Sequence, residues 1–244
     1  MPATNVIAVC LALALGAASV GAAESARPGN PATYLASVCG ELAKCWPTNR
    51  TVNIICHGHS VPAGYFKTPA VHTFEAYPFL LHRGLATRFP HAVINVIVTA
   101  IGGENAEGGA ARFEKDVISL RPDVVTIDYA LNDRGIGLAR AKAAWRSMIT
   151  NALAHNIRLI LLTPTPDISA HLDDPKDPLN QHAEQIRRLA AEYHVGLVDS
   201  LAAFKQRLKA GTPLEQLMAQ SNHPNGRGHK IVAGELLKFF SSSP

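Results

Sequence analysis

Five short stretches of the chain are apolar at most positions: Val52–Cys56, Val93–Thr99, Val124–Tyr129, Arg158–Leu162 and Gly196–Asp199. Runs of this length, rich in β-branched residues and without polar alternation, predict strands buried on both faces. Between them apolar residues recur every three or four positions, the spacing of a helix with one buried stripe. That pattern predicts helices over Phe74–Phe89, Glu107–Leu120, Leu138–Asn156, Leu179–His194 and Gly226–Phe240. Pro78 belongs near the start of the first, where a missing N–H is tolerated. In the third, Trp145, Met148, Ile149 and Leu153 form the inward stripe.

Strand and helix therefore alternate. Such a chain folds as a three-layer doubly wound α/β/α sandwich, with a central, mostly parallel five-stranded sheet and right-handed crossovers. In the flavodoxin-like order 2-1-3-4-5, the topological switch point lies between the first and third strands, and ligands bind beyond their carboxyl ends. The residues that follow those two strands are Gly58-His59-Ser60 and Leu131-Asn132-Asp133.

The ends of the chain modify this picture. Residues 1–23 hold no Lys, Arg, Asp or Glu, and small residues at Gly21-Ala22-Ala23 follow an apolar core. This layout is that of a secretory signal peptide, so 24–244 is expected to be a single domain, secreted or periplasmic, with no membrane attachment once the signal is removed. Residues 24–47 read as an irregular lead-in with one short helix around Tyr34–Lys44. In an oxidising compartment Cys39 and Cys45 could close a small loop, while Cys56 ends the first strand.

With 47% hydrophobic and 17% charged residues over 244 positions, the chain has the material for a sizeable core. Its net charge of +4 is spread without any Lys/Arg run, which argues against a nucleic-acid partner.

Ser60 sits at the tip of the first strand, and a serine hydroxyl becomes a nucleophile only when an oriented base takes its proton. His223, in the polar turn Ser221-Asn222-His223-Pro224-Asn225-Gly226 ahead of the last helix, can supply that base. A developing oxyanion needs donors. The second strand runs into Gly102-Gly103, and the third into Asn132-Asp133. Singly, each is an ordinary turn signal; together they fall in order on one edge of the sheet.

In that order the chain resembles the SGNH, or GDSL-like, hydrolase superfamily. Gly58-His59-Ser60 matches the family's Gly-Asp-Ser block with His in place of Asp, and Asn132-Asp133 matches its Asn-Asp pair. His223-Pro224-Asn225 with Gly228-His229 matches its last block. The resemblance implies a serine ester hydrolase without cofactor, its substrate a small-molecule or carbohydrate ester. Ser60 would be the nucleophile and His223 the base, with an oxyanion hole from Ser60, Gly103 and Asn132.

One position departs from the pattern. Three residues before His223 the family has Asp, and this chain has Gln220. An amide can hold the imidazole tautomer but cannot stabilise an imidazolium, and removing the Asp from a chymotrypsin-type triad costs about 10⁴ in rate. Three readings follow: Gln220 orients His223, an acid comes from another loop (Asp133, Asp167 or Glu104), or the enzyme is weakened; a rival is the same fold with a crippled site that retains a carbohydrate ligand. A further alternative is a metal-dependent hydrolase built on His57 and His59, completed by Asp128, Asp133, His155 or His171.

Overall fold

The computed structural model describes Met1 and residues 26–241, so the expected signal segment lies outside the described residues. The sheet has five parallel strands, β1 (Thr51–Gly58), β2 (Val93–Val98), β3 (Val124–Asp128), β4 (Arg158–Leu162) and β5 (Gly196–Val198), in the order β2-β1-β3-β4-β5. This is the doubly wound order expected from the alternation.

Side chains alternate across the sheet, and each face has its own core. Ile54, Cys56, Val124, Ile160 and Leu162 point to one side. They meet α1 (Ala36–Leu42), α3 (Tyr77–Arg88), α7 (Ser200–Lys209) and α8 (Gly226–Leu237) through residues such as Leu42, Leu81, Phe204 and Leu236. Ile55, Val125, Ile127, Leu159 and Leu161 point to the other. There they meet α4 (Ala106–Asp116), α5 (Leu138–Ala154) and α6 (Pro178–Glu192) through Phe113, Trp145, Met148 and Ile186.

Most boundaries lie within a turn of those expected, because caps set them. Asn105 accepts from the N–H groups of Glu107 and Gly108 to open α4, and Asn225 does the same for Arg227 and Gly228 at α8. Pro78 lies in the first turn of α3. Leu153, assigned to the inward stripe of α5, is exposed at 38%, since the helix has turned that position past the core by its last turn.

Three elements were not foreseen. The four-residue helix α2 (Ser60–Ala63) starts on the candidate nucleophile, α7 follows β5 behind an Asp199 cap, and the hairpin β6 (Met218–Gln220) and β7 (His223–Pro224) carries the candidate base. Cys39 and Cys45 are not joined. The turn of α1 points Cys39 inward, its Sγ 3.8 Å from the Phe239 carbonyl, while Cys45 is exposed.

Candidate active site

Ser60 is delivered by a tight exit from β1. A Cβ on Gly58 would lie 2.5 Å from the Asp128 carbonyl oxygen, so only glycine lets β1 run this close to β3. The next residue, His59, donates its backbone N–H to that same carbonyl at 3.2 Å. Its ring caps α2, with Nδ1 accepting from the Val61 N–H at 3.2 Å and standing 3.4 Å from Ser60 Oγ. The other ring nitrogen faces Asp128 Oδ1 at 3.3 Å, close enough for attraction although the angle is poor for a hydrogen bond. His59 is wholly buried, so in this chain the family's Asp position is filled by a helix cap.

His223 reaches Ser60 from β7. Its Nε2 is 2.9 Å from Ser60 Oγ, and its Nδ1 is 3.1 Å from the carbonyl oxygen of Phe66. Since a carbonyl only accepts, Nδ1 carries the hydrogen and Nε2 is the lone-pair nitrogen facing the serine. Burial pushes the His223 pKa below the ordinary imidazole value, against the opposing pull of the Phe66 carbonyl. Both side chains are almost covered, Ser60 at 6% exposure and His223 at 4%.

None of the four groups considered as partners for the imidazole bonds to it. Gln220 spends its amide on Thr68 and Asn222. Asp133 accepts from the Ala106 N–H and the Trp145 indole, Asp167 pairs with Arg134 and Ser169, and Glu104 is held by Arg112 and Tyr129. Each carboxylate is held by donors of its own, and the loop after α2 supplies the imidazole with a backbone carbonyl instead.

The candidate oxyanion donors lie on segments that leave β1, β2 and β3 at that edge. Ile101 donates its N–H to the Gly58 carbonyl at 3.0 Å, which ties the loop after β2 to the nucleophile turn. Gly103 has φ +79°, and a Cβ there would meet nothing within 4 Å. Asn132 donates from Nδ2 to the Glu104 carbonyl at 2.9 Å, so its amide is tied to the Glu104–Asn105 peptide, one residue beyond Gly103. Arg112 makes a two-pronged pair with Glu104, at 2.6 Å through Nη2 and 2.9 Å through Nε, and Tyr129 adds a bond of 2.8 Å.

His57 points into this brace. Its ring nitrogens meet Thr99 Oγ1 at 2.8 Å, the Gly109 carbonyl at 3.2 Å and Tyr129 Oη at 3.1 Å. Burial, with Arg112 adding to it, pushes its pKa down to about 4, so it is neutral near pH 7. Both ring nitrogens of His57 are thus taken by structural partners, and His59 spends Nδ1 on the α2 cap. Among the described residues, no three His, Cys, Asp or Glu side chains are grouped to hold a metal ion. That arrangement replaces the metal reading of His57 and His59.

Sequence reasoning missed Phe66, Tyr65 and Arg112. Tyr65 lies against His223, with ring centroids 5.9 Å apart. A carbonyl leaves no trace in side-chain identity, and Glu104 and Arg112 are separated by a turn into α4 that gives no helical spacing. Only Tyr65, beside the serine block, carried a signal.

Fold and edge together define a hydrolase of the doubly wound α/β class, with a serine and a histidine in contact at its switch point. The chain belongs to the GDSL-like lipase/acylhydrolase family, whose model matches residues 56–231, and it is a serine ester hydrolase of the SGNH type. It is 28% identical over 162 residues to an acetylxylan esterase from Geobacillus stearothermophilus, covering 62% of this chain and 74% of that one. The crystal structure of an acetylxylan esterase from the same organism superposes with a TM-score of 0.69 at 25% identity, over 78% of this chain and 94% of the other. A two-domain esterase active on acetylated mannans shares the fold, with a TM-score of 0.71 at 20% identity over 88% of this chain and 54% of that one.

Proposed function

We propose that the chain is a carbohydrate O-acetylesterase that works through an acyl-enzyme on Ser60, with His223 as base. The observation that carries this reading is the 2.9 Å contact between Ser60 Oγ and His223 Nε2 at the carboxyl edge of the sheet. The substrate class is supported by similarity to esterases acting on acetylated xylan. The uncharged apolar leader over 1–23 fits a secreted or periplasmic enzyme.

In this reading, His223 Nε2 takes the hydroxyl proton as Ser60 Oγ attacks the acetyl carbonyl carbon. The oxyanion is received by the N–H groups of Ser60 and Gly103 and by the second Nδ2 hydrogen of Asn132, the first being held by Glu104. Collapse breaks the ester bond, and the proton on His223 passes to the departing sugar oxygen. Water then enters and gives a proton to His223 Nε2 as its oxygen attacks the acetyl carbon; the bond from that carbon to Ser60 Oγ breaks, His223 returns the proton to Oγ, and acetic acid leaves.

Catalytic mutants of the Geobacillus esterase replace a serine, an aspartate and a histidine, the last two three positions apart in its chain. Gln220 and His223 keep that spacing. The reading therefore gives the aspartate's orienting task to the Phe66 carbonyl, without its charge.

The test is acetate release from acetylated xylo-oligosaccharides and turnover of 4-nitrophenyl acetate, by the wild type and by Ser60→Ala. The variant should lose about 10³-fold or more. Equal rates in the two proteins would sink the assignment, and turnover of the nitrophenyl ester without deacetylation of the saccharide would sink its substrate half.

A further inference from the structure

Gln220 stands where the family's carboxylate is expected, yet its amide turns away from His223. It grips the tip of a hairpin instead. Residues 65–72 leave α2 and fold back on themselves through a Tyr65–Val71 bridge, a Phe66 N–H to Ala70 carbonyl bond of 3.0 Å and a His72 N–H to Gly64 carbonyl bond of 2.8 Å. Thr68 lies at the tip, in a turn closed by the Ala70 N–H on the Lys67 carbonyl at 2.7 Å. Gln220 Oε1 accepts from the Thr68 N–H at 2.9 Å, and Nε2 donates to Thr68 Oγ1 at 3.3 Å and to Asn222 Oδ1 at 3.1 Å.

Two residues before that tip is Phe66, whose carbonyl accepts the Nδ1 hydrogen of His223. The two ends of the arrangement are themselves paired, Gln220 opposite His223 across β6 and β7. Hairpin, amide and imidazole therefore form a closed ring of contacts. The chemistry of position 220 fits it: one side chain accepts from the Thr68 N–H and donates to the Thr68 hydroxyl, an amide making both bonds and a carboxylate keeping the first.

We propose that Gln220 is a positioning residue that clasps the 65–72 hairpin and so holds the Phe66 carbonyl against His223. The loss of the carboxylate and the gain of the carbonyl are then one coupled change. The hairpin is anchored to the nucleophile at its other end by the Tyr65 N–H on the Ser60 carbonyl at 3.0 Å, so slack at the tip is transmitted to the imidazole rather than to Ser60.

The proposal rests on the serine esterase reading for its kinetic consequence, but the clasp itself can be read in the resting protein. Gln220→Ala and Gln220→Glu are compared with the wild type by kcat and KM on 4-nitrophenyl acetate, and by the downfield proton resonance of His223 Nδ1–H in nitrogen-15-labelled protein. Gln220→Ala should lower kcat by about 10²-fold with KM within about twofold, the scale of a misplaced catalytic group, and should broaden or erase the resonance. Gln220→Glu keeps an oxygen for the Thr68 N–H and should restore most of both. A Gln220→Ala protein that keeps wild-type kcat and resonance would overturn the proposal. So would a loss of kcat with the resonance unchanged, a Glu variant no better than Ala, or a wild type without the resonance. Equal turnover by wild type and Ser60→Ala would instead refute the esterase reading and leave the resonance arm to judge the clasp.

Discussion

The carbonyl oxygen of Phe66 lies 3.1 Å from His223 Nδ1, on the side of the ring opposite Ser60. A carbonyl dipole fixes the tautomer as well as a carboxylate does, but it adds little to the stability of the imidazolium that forms during attack. Among the described residues, no carboxylate at that position offsets the burial that lowers the His223 pKa.

The pH profile should carry this signature. The base must be neutral to act, and its pKa is depressed, so the acid limb of kcat/KM falls below the ordinary imidazole value of about 6.5. The enzyme should retain activity into mildly acidic solution. A limb centred above 6.5 would mean that a negative charge faces the imidazole after all.

A second consequence concerns Arg112, which touches neither Ser60 nor His223 but grips the residue after Gly103. With Arg112→Ala, Glu104 keeps only Tyr129, and the loop bearing the Gly103 N–H loosens. We expect kcat to fall by about 10- to 100-fold with KM little changed, and stability to drop by about 1–3 kcal/mol as a partly buried carboxylate loses its partner. Arg112→Lys should recover only part of this, because a single ammonium cannot make the two-pronged contact. Steady-state kinetics alongside urea unfolding separate the two effects, and an unchanged kcat in Arg112→Ala would remove the brace from the catalytic account.

Gly103→Ala offers a test without steric ambiguity. A Cβ there enters open space, so any effect comes from φ +79°, which an L-residue adopts at a cost of about 1–2 kcal/mol. If the Gly103 N–H is an oxyanion donor, relaxation of that strain turns the peptide and lowers kcat by about 10²-fold or more. A variant destabilised by the expected amount yet fully active would exclude that N–H from the hole.

The fold was legible because each of its layers leaves a periodic trace. Val52–Cys56 and Val124–Tyr129 are apolar on both faces since both faces of this sheet are covered, and Trp145, Met148 and Ile149 repeat at helical spacing along α5. The Ser60 and His223 positions could be read from strand ends and turn chemistry. Helix α7 had its signal, an Asp199 cap ahead of Leu201 and Phe204, but followed so short a strand that it was lost. What orients His223 could not be read, since the partner is a main-chain atom on a hairpin whose path is set by Gln220, 152 positions away from Thr68. Side-chain identity is written in a sequence, whereas the placement of a carbonyl is decided only when the chain has folded.

Acid sensitivity gives the last test, and its sign follows from groups beneath the site. Burial holds His57 down to about 4, helped by Arg112, and His229 down to about 3, with Nδ1 of His229 already accepting from the Tyr77 N–H. In the unfolded chain both titrate near 6.5. Between pH 6.5 and about 4 the unfolded state therefore binds more protons, and stability is lost as pH falls. Asp133 works the other way: burial raises it to about 6, against its bonds from Trp145 and Ala106, so the folded state takes up its proton early and gains stability between pH 6 and about 4. His182, also lowered to about 4 by burial and by Arg134, acts with these two imidazoles. Three protons against one leave a net of two, a slope of about 2.7 kcal/mol per pH unit across that window. Against the upward push of burial, Arg134 and Ser169 hold Asp167 below the usual carboxylate range, so it contributes only at lower pH. Urea unfolding of Ser60→Ala from pH 7 to pH 4 should show this decline, and adding His57→Gln should flatten it by about one proton. Stability that is level across the window, or a slope untouched by the His57 substitution, would mean that the buried imidazole takes up a proton in the folded protein.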